Sequence, residues 1–359
     1  MGKKVKNILL KIEFEGNGVV NMDSNDQKYV LKDTHLRARY ENVSFAKKSF
    51  TINEDGKLDY KLKISRDCIL HDMYKYNMIS NVPNIVHNDY LFYNHLASTM
   101  SLVKGYMYAN KAETLKRKGA ITLCDAVQTC NAFSSLEVFS RSGEKVTNDG
   151  TTEKSDNSFY YKETVGDIKY STKGDLDLMN LQFVSCDSIF DRYSFNPDKF
   201  EIYKNFLKIS LPNFNGELGY YQLKDSNIEI PEYGILLSDE DVLKLVKETL
   251  TSMLKINIKR KGAYAKVSSV KIKLVSDPLI DTFNNDNDWI SLKTDKDVND
   301  LNFETEFFYN EINIEEAKSS RLEFEEKIKT AKEDAKKADK ESKDIKNANK
   351  KSLKNNIDE

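Results

Sequence analysis

Between Asn7 and Phe14 the side chains alternate: Ile8, Leu10, Ile12 and Phe14 take every second position, with Asn7, Leu9, Lys11 and Glu13 between them. A period of two belongs to a strand with one face in a core, and it excludes a helix over the same residues. Near the other end, Val270, Ile272 and Leu274 alternate with Lys271 and Lys273 and predict a second such strand. Between them the apolar spacing changes to the helical period. Ser238 heads the clearest case, with Asp241 at the third helical position and Val242, Leu245, Val246, Thr249, Leu250 and Met253 on one stripe. Strands at both ends and helices between, separated by long excursions, indicate an α+β sheet with helices on one face.

Two further helices are expected to cover that sheet. One starts at Ser65, where the alternating Lys61-Leu62-Lys63-Ile64 meets Ile69, Met73 and Tyr76 at helical spacing. The Ser65 hydroxyl is suited to accept a first-turn amide. The other runs from Asn94 to Gly105, with Leu96, Met100 and Val103 on one face. The polar stretch from Met22 to about Tyr60 reads as hairpins or loops, and Arg141 to Ser158 as a mobile loop. Phe159 to Thr172 reads as a hairpin turning near Gly166-Asp167. Leu176, Leu178, Leu181, Phe183 and Val184 read as a second core strand, and Asp187 to Tyr233 as a long functional or peripheral insertion. From Glu315 to Glu359, Lys, Glu, Asp, Ala and Asn dominate, which reads as a solvated helix or disorder.

The 55 Lys and Arg nearly cancel the 57 Asp and Glu, so any polyanion partner must be held by local patches. The four cysteines form no CxxC pair, and the chain has neither a signal segment nor a membrane-length apolar run. A reduced, cytoplasmic protein with no membrane partner is expected.

The patches are Lys104, Lys116-Arg117-Lys118 and Lys259-Arg260-Lys261, two of them beside aromatics, the first by Tyr106 and Tyr108 and the third by Tyr264. Cations neutralise phosphates and aromatic faces stack on unpaired bases, so these mixtures point to RNA, and Lys162 and Lys169 in the hairpin join them. Arg66 and the amides starting the Ser65 helix suit a phosphate. Gly16-Asn17-Gly18 is either a tight turn or a close backbone approach to a phosphate. His71, His87 and His95 are irregularly spaced and no cysteine completes a ligand set, so neither a metal nor any other cofactor is assigned. Asp67 and Asp72 sit beside the candidate phosphate site without a visible base and nucleophile.

Several short motifs follow one another in a set order: Gly16-x-Gly18-Val19-Val20-Asn21, Ile64-Ser65-x-x-Cys68-Ile69-x-His71, and Leu96-Ala97-Ser98 with Gly105-Tyr106. Gly166-Asp167, Leu181-Gln182-Phe183 and Gly234-Ile235-Leu236-Leu237-Ser238-Asp239 complete the set. In this order, over most of Lys6 to Leu274, they resemble the Cas-seven family of the RAMP superfamily, the RNA-binding backbone subunit of CRISPR Cascade complexes. The likeness is to the minimal type I-F variant.

That resemblance implies an RRM-like (ferredoxin-like) palm over residues 1–314 with finger and thumb insertions near 22–60, 107–172 and 187–233, and a charged tail over 315–359. It implies a non-catalytic subunit that binds crRNA, packs head to tail with copies of itself and joins other Cascade subunits. The guide is then presented for pairing with target DNA. Ser65, Arg66 and His71 match the helix facing the guide backbone; Gly16, Gly18 and Asn21 match the adjoining strand end. Where the family pattern places a basic residue before the histidine this chain has Leu70, so Arg66 or a lysine supplies that charge. The alternative within the superfamily is a target-RNA endonuclease using Asp67 or Asp72.

Overall fold

The alternating residues form β1 (Asn7–Asn17), an eleven-residue strand whose Ile8, Leu10, Ile12 and Phe14 are completely buried. Burying four such side chains contributes on the order of 8 kcal/mol of transfer free energy. The computed structural model describes residues 4–23, 43–52, 55–56, 58–75, 89–109, 114–132, 134–141, 144–146, 152–154, 158–224, 226, 230–260, 262–277, 283 and 287–333.

β1 sits inside a nine-stranded sheet with β2 (Lys48–Ile52), β3 (Leu58–Ile64), β4 (Ile121–Leu123), β5 (Ala126–Gln128), β6 (Asp167–Asp177), β7 (Asn257–Arg260), β8 (Ala263–Val275) and β9 (Ile290–Leu292). The spatial order is β7-β8-β1-β6-β5-β3-β2, with β9 on β8 and β4 on β6. β1 is antiparallel to both neighbours: Asn17 faces Asp167 and Tyr264, and Asn7 faces Asp177 and Val275. With both edges paired, a one-residue slip of β1 would turn its apolar set out of the core, which pins the register.

Among the described residues eight α-helices follow in chain order: α1 (Arg66–Met73), α2 (Asp89–Leu96), α3 (Thr99–Lys104), α4 (Leu178–Gln182), α5 (Phe200–Ser210), α6 (Asp239–Leu254), α7 (Asp295–Asn299) and α8 over 314–333. α6 carries the expected capping box, Ser238 and Asp241 each bonding the other's backbone amide, and its stripe joins the core made by the even positions of β1. The odd positions Glu13 and Glu15 are exposed. Among the described residues no helix is long and apolar enough to cross a membrane.

Four local expectations are corrected. The helix expected from Asn94 to Gly105 is two, α2 and α3, because Ser98 Oγ accepts the Ser101 amide (3.3 Å) and starts a new helix. The strand expected from Leu176 to Val184 is the end of β6, one helical turn (α4) and a short strand Phe183–Ser185, because Asp177 caps the Asn180 amide (3.1 Å). The chain does turn at Gly166, yet its two arms do not pair. Ser158–Val165 pairs with Ser134–Arg141, while β6 takes the longer partner that β1 offers. The loop expected from Arg141 to Ser158 contains two paired strands, Glu144–Val146 and Thr152–Lys154; its residues 142–143, 147–151 and 155–157 lie outside the described residues.

The segment from Asp187 to Tyr233 supplies core, since Phe195, Tyr203 and Leu207 are fully buried and α5 packs on α2. In the 22–60 region, residues 24–42 lie outside the described residues, and Lys48–Ile52 pairs with Leu58–Ile64. His87 and the tail beyond 333 are also outside them.

The charged tail, read as a solvated helix or disorder, is a largely exposed helix over its described residues, but the start of α8 is docked. Ala317 is fully buried, and Arg321 donates to the Asp187 carboxylate (Nη2 to Oδ1, 3.2 Å) and to the Pro231 carbonyl (3.3 Å). Asp187 is itself buried and also accepts the amides of Ile189 (3.2 Å) and Tyr233 (3.1 Å). Arg321→Ala leaves a buried carboxylate with two amides and no cation, and is expected to cost about 2 kcal/mol. Urea unfolding of the full chain checks this, with the midpoint falling and the slope unchanged.

Candidate nucleic-acid interface

β1 runs out at Gly16-Asn17-Gly18, against β8. A side chain at Gly16 would place its Cβ 2.2 Å from the Tyr264 carbonyl oxygen, and Gly18 has φ +76° with Ala263 Cβ 2.7 Å from where its own Cβ would lie. The close approach these glycines permit is therefore to β8, and the turn is completed by the Gly18 amide donating to the Val165 carbonyl (2.9 Å). Val19 and Val20 are buried, and the chain delivers Asn21, also buried, to the start of α1. There Asn21 Nδ2 donates to Ser65 Oγ at 3.0 Å, which joins two of the sequence motifs across 44 residues.

That bond corrects the expected cap. Ser65 has an extended conformation (φ −65°, ψ 145°), but its hydroxyl bonds no first-turn amide. The Arg66 amide is taken by Asp125, whose Oδ1 accepts it at 2.9 Å while Oδ2 accepts Lys63 Nζ at 2.9 Å. Burial alone would raise the Asp125 pKa, but the Arg66 amide and the Lys63 ammonium outweigh it and hold the carboxyl below its ordinary value. One amide of the helix start thus already serves an anion that the protein supplies. What faces outward is the Arg66 side chain, 62% exposed with Nε 3.6 Å from the exposed Asp67 carboxylate.

His71 is exposed on the last turn of α1, while Leu70 is buried, which accounts for an apolar residue before the histidine. Asp72 is engaged structurally: its carboxylate accepts the Asn257 amide (2.7 Å) and Lys75 Nζ (2.7 Å) and ties α1 to β7. Through the same contact β7 brings Lys259 and Arg260, both exposed, beside α1. Burial raises the pKa of the Cys68 thiol against the opposing pull of the Arg260 guanidinium, to which it is hydrogen-bonded. Tyr264 stands half-exposed on β8 opposite Lys259. Lys261 lies outside the described residues, as does the Lys162 side chain. Lys169 is exposed on β6, its Nζ 3.3 Å from Glu15.

The other basic group lies elsewhere. Lys104, Lys116 and Lys118 surround the hairpin Tyr106–Ala109 and Thr114–Arg117, which is anchored to the far end of β6 through the Asp177 amide and the Ala120 carbonyl (2.8 Å). Ten residues of β6 separate that end from Asp167, about 33 Å at strand rise. Lys104 is half-buried, Lys118 is exposed, and Lys116 pairs with Asp191 at 2.5 Å.

Arg117 is a correction. Strand alternation turns it inward between two outward lysines, and at 5% exposure it donates to the carbonyls of Leu102 (2.9 Å), Phe183 (3.0 Å), Asn180 (3.2 Å) and Leu181 (3.4 Å). It compensates the negative ends of α3 and α4 and cannot reach a nucleic acid.

Residues 4–309 match the sequence model of the family described as Type I-Fv CRISPR-associated protein Cas7fv-like. The chain belongs to that family. Among solved structures this Cas7fv-like chain is similar to a chain of a "CRISPR RNA-guided surveillance complex" (10% identity, 74% of this chain and 68% of that one, TM-score 0.33). It is also similar to a chain of a "CRISPR RNA-guided surveillance complex, pre-nicking" (7% identity, 74% and 77%, TM-score 0.33). No curated protein matches it.

The Cas7fv-like chain has two site residues with no local sequence signal. Asp125 reaches Arg66 from 59 positions away, and half-buried Lys47 joins the site because its amide donates to the Asn21 carbonyl (3.0 Å) and its carbonyl accepts the Lys63 amide (2.9 Å). Asp125→Asn is expected to cost about 1 kcal/mol at pH 7 by weakening the α1 cap. A carboxyl with a depressed folded pKa stabilises above its unfolded pKa of about 3.9 and loses that contribution as pH falls through the folded value. Thermal melts of parent and variant are therefore expected to differ at pH 7 and to converge as pH falls through the folded value.

Proposed function

We propose that this chain is a non-catalytic crRNA-binding subunit of a CRISPR interference complex in the cytoplasm. Membership of the Cas7fv-like family supports the reading. The single observation that carries it is the Asn21–Ser65 bond, because it gathers the strand end, the start of α1 and the exposed Arg66, Lys259 and Arg260 into one cationic corner. Arg66 and Arg260 contact guide phosphates there, and Tyr264 offers a face to a base. Contacts of this kind read backbone and shape, while the bases stay available to pair with target DNA.

The palm on this reading is RRM-like. In its favour, β1, the α1–α3 segment, β5, β6, α6 and β8 follow in the order strand, helix, strand, strand, helix, strand, and the sheet order β8-β1-β6-β5 is antiparallel throughout. Residues 1–314 form the RNA-binding unit with its insertions, and 315–359 the tail. Two basic groups about 33 Å apart along β6 suit a guide that enters at one end of the palm and leaves at the other. Copies then pack head to tail along it and meet other Cascade subunits at the ends.

Arg66→Ala combined with Arg260→Ala is expected to lower RNA co-purifying with the full chain, and to reduce the salt slope of guide binding by about 1.4 for two lost phosphate contacts. The loss is expected to be equal for guides of different spacer sequence. Extraction and sizing of bound RNA, with filter binding at several salt concentrations, measures both. Unchanged RNA content, or an effect confined to one spacer, overturns the reading.

A further inference from the structure

The face of the sheet turned away from α6 carries the odd positions of β1 and β6 and their partners on β8. At one level Lys169, Glu15 and Lys266 stand side by side, alternating in sign. Two residues along, Ser171, Glu13 and Ser269 stand side by side with a single carboxylate between two neutral serines. At the next level the three are Lys173, Lys11 and Lys271. Directly opposed side chains on adjacent strands lie about 5 Å apart, and like charges there are destabilising. The first of these levels shows that this sheet can neutralise itself; the third carries three lysines instead. Lys173 and Lys271 are exposed, and neither forms an ion pair among the described residues.

Two aromatic rings lie over the same row. Lys11 Nζ is 4.2 Å from the centre of the Trp289 ring and Lys173 Nζ is 5.6 Å from that of Phe283. The two rings are inclined by 29° with centroids 6.4 Å apart. Both rings are half-buried, so part of each remains open to solvent.

We propose that Lys173, Lys11 and Lys271, with Trp289 and Phe283, bind a single-stranded nucleic acid distinct from the strand held near Ser65. The lysine row contacts its phosphates and the rings stack on its bases, the combination by which single strands are held without sequence preference. The row lies six residues from Asn17 along β1, about 20 Å from that end of the strand. An acidic polypeptide would satisfy the lysines but leave the flat rings unused, which favours the nucleic acid.

Trp289 is the only tryptophan in the chain, so its fluorescence reports this site alone. Titrating the full-length protein with an oligothymidylate of about 15 nucleotides is expected to quench that fluorescence. Lys173→Ala with Lys271→Ala is expected to raise Kd at least about tenfold and to lower the salt slope by about 1.4, at 0.7 per phosphate contact. Trp289→Ala weakens binding measured by anisotropy of a labelled oligonucleotide, and Trp289→Phe restores it. Quenching persists when Arg66 and Arg260 are both alanine, which separates this site from the guide site. Lys271→Gln leaves the melting temperature unchanged or higher, since it relieves a like-charge contact. Absence of quenching, an unchanged Kd and slope in the double lysine variant, equal quenching by polyglutamate, loss of quenching in the arginine variant, or a lower melting temperature in Lys271→Gln would each overturn the proposal.

Discussion

Everything in this fold depends on β1 being paired along its whole length on both edges, with β6 on one side and β8 on the other. A strand so held has two faces and two ends, and each has a separate use. The even face is buried under the helices, and the odd face carries the charges. One end delivers Gly16 to Asn21 to the start of α1, and the other is where the Lys104 to Lys118 hairpin is fastened. Moving the register by one residue would bury the lysines and expose the core, so fold and charge display are the same constraint.

The start of α1 shows how a helix terminus can have its first amide taken by a side chain from a distant part of the chain. Asp125 takes the first amide and fixes Lys63, so the helix end is stable before any ligand arrives. The Ser65 hydroxyl is then released from capping and ties in Asn21 instead. The positive charge beside it comes from the side chains of Arg66 on α1 and Lys259 and Arg260 on β7, which are exposed and drawn from distant parts of the sequence.

Buried ions serve the fold in two other places. Arg117 gathers the carbonyl ends of two helices, and Asp187 gathers two amides and the Arg321 guanidinium from the tail. Either ion alone would be costly to bury; each is kept because its hydrogen-bonding capacity is taken up by fixed partners. The tail is consequently part of the fold at its beginning, although its composition reads as solvent-facing.

The sequence alone determined the alternating strands and the capping box of α6, because a period of two over Ile8 to Phe14 and Ser238 with Asp241 are local instructions written within one element. It also determined the order of motifs that identifies the family. It misjudged the breaks at Ser98 and Asp177, where a side-chain cap outweighs a continuing apolar pattern. It joined the arms on either side of Gly166, although the longer partner was β1. The tertiary structure alone decided which cations face outward: the run Lys116-Arg117-Lys118 is one patch on paper, but strand geometry buries its middle member. It also decided that Asn21 meets Ser65, that Asp125 caps α1, and that three lysines from three strands form one row. Those contacts span dozens to hundreds of residues, and only pairing of the strands brings their side chains within hydrogen-bonding or Coulombic range.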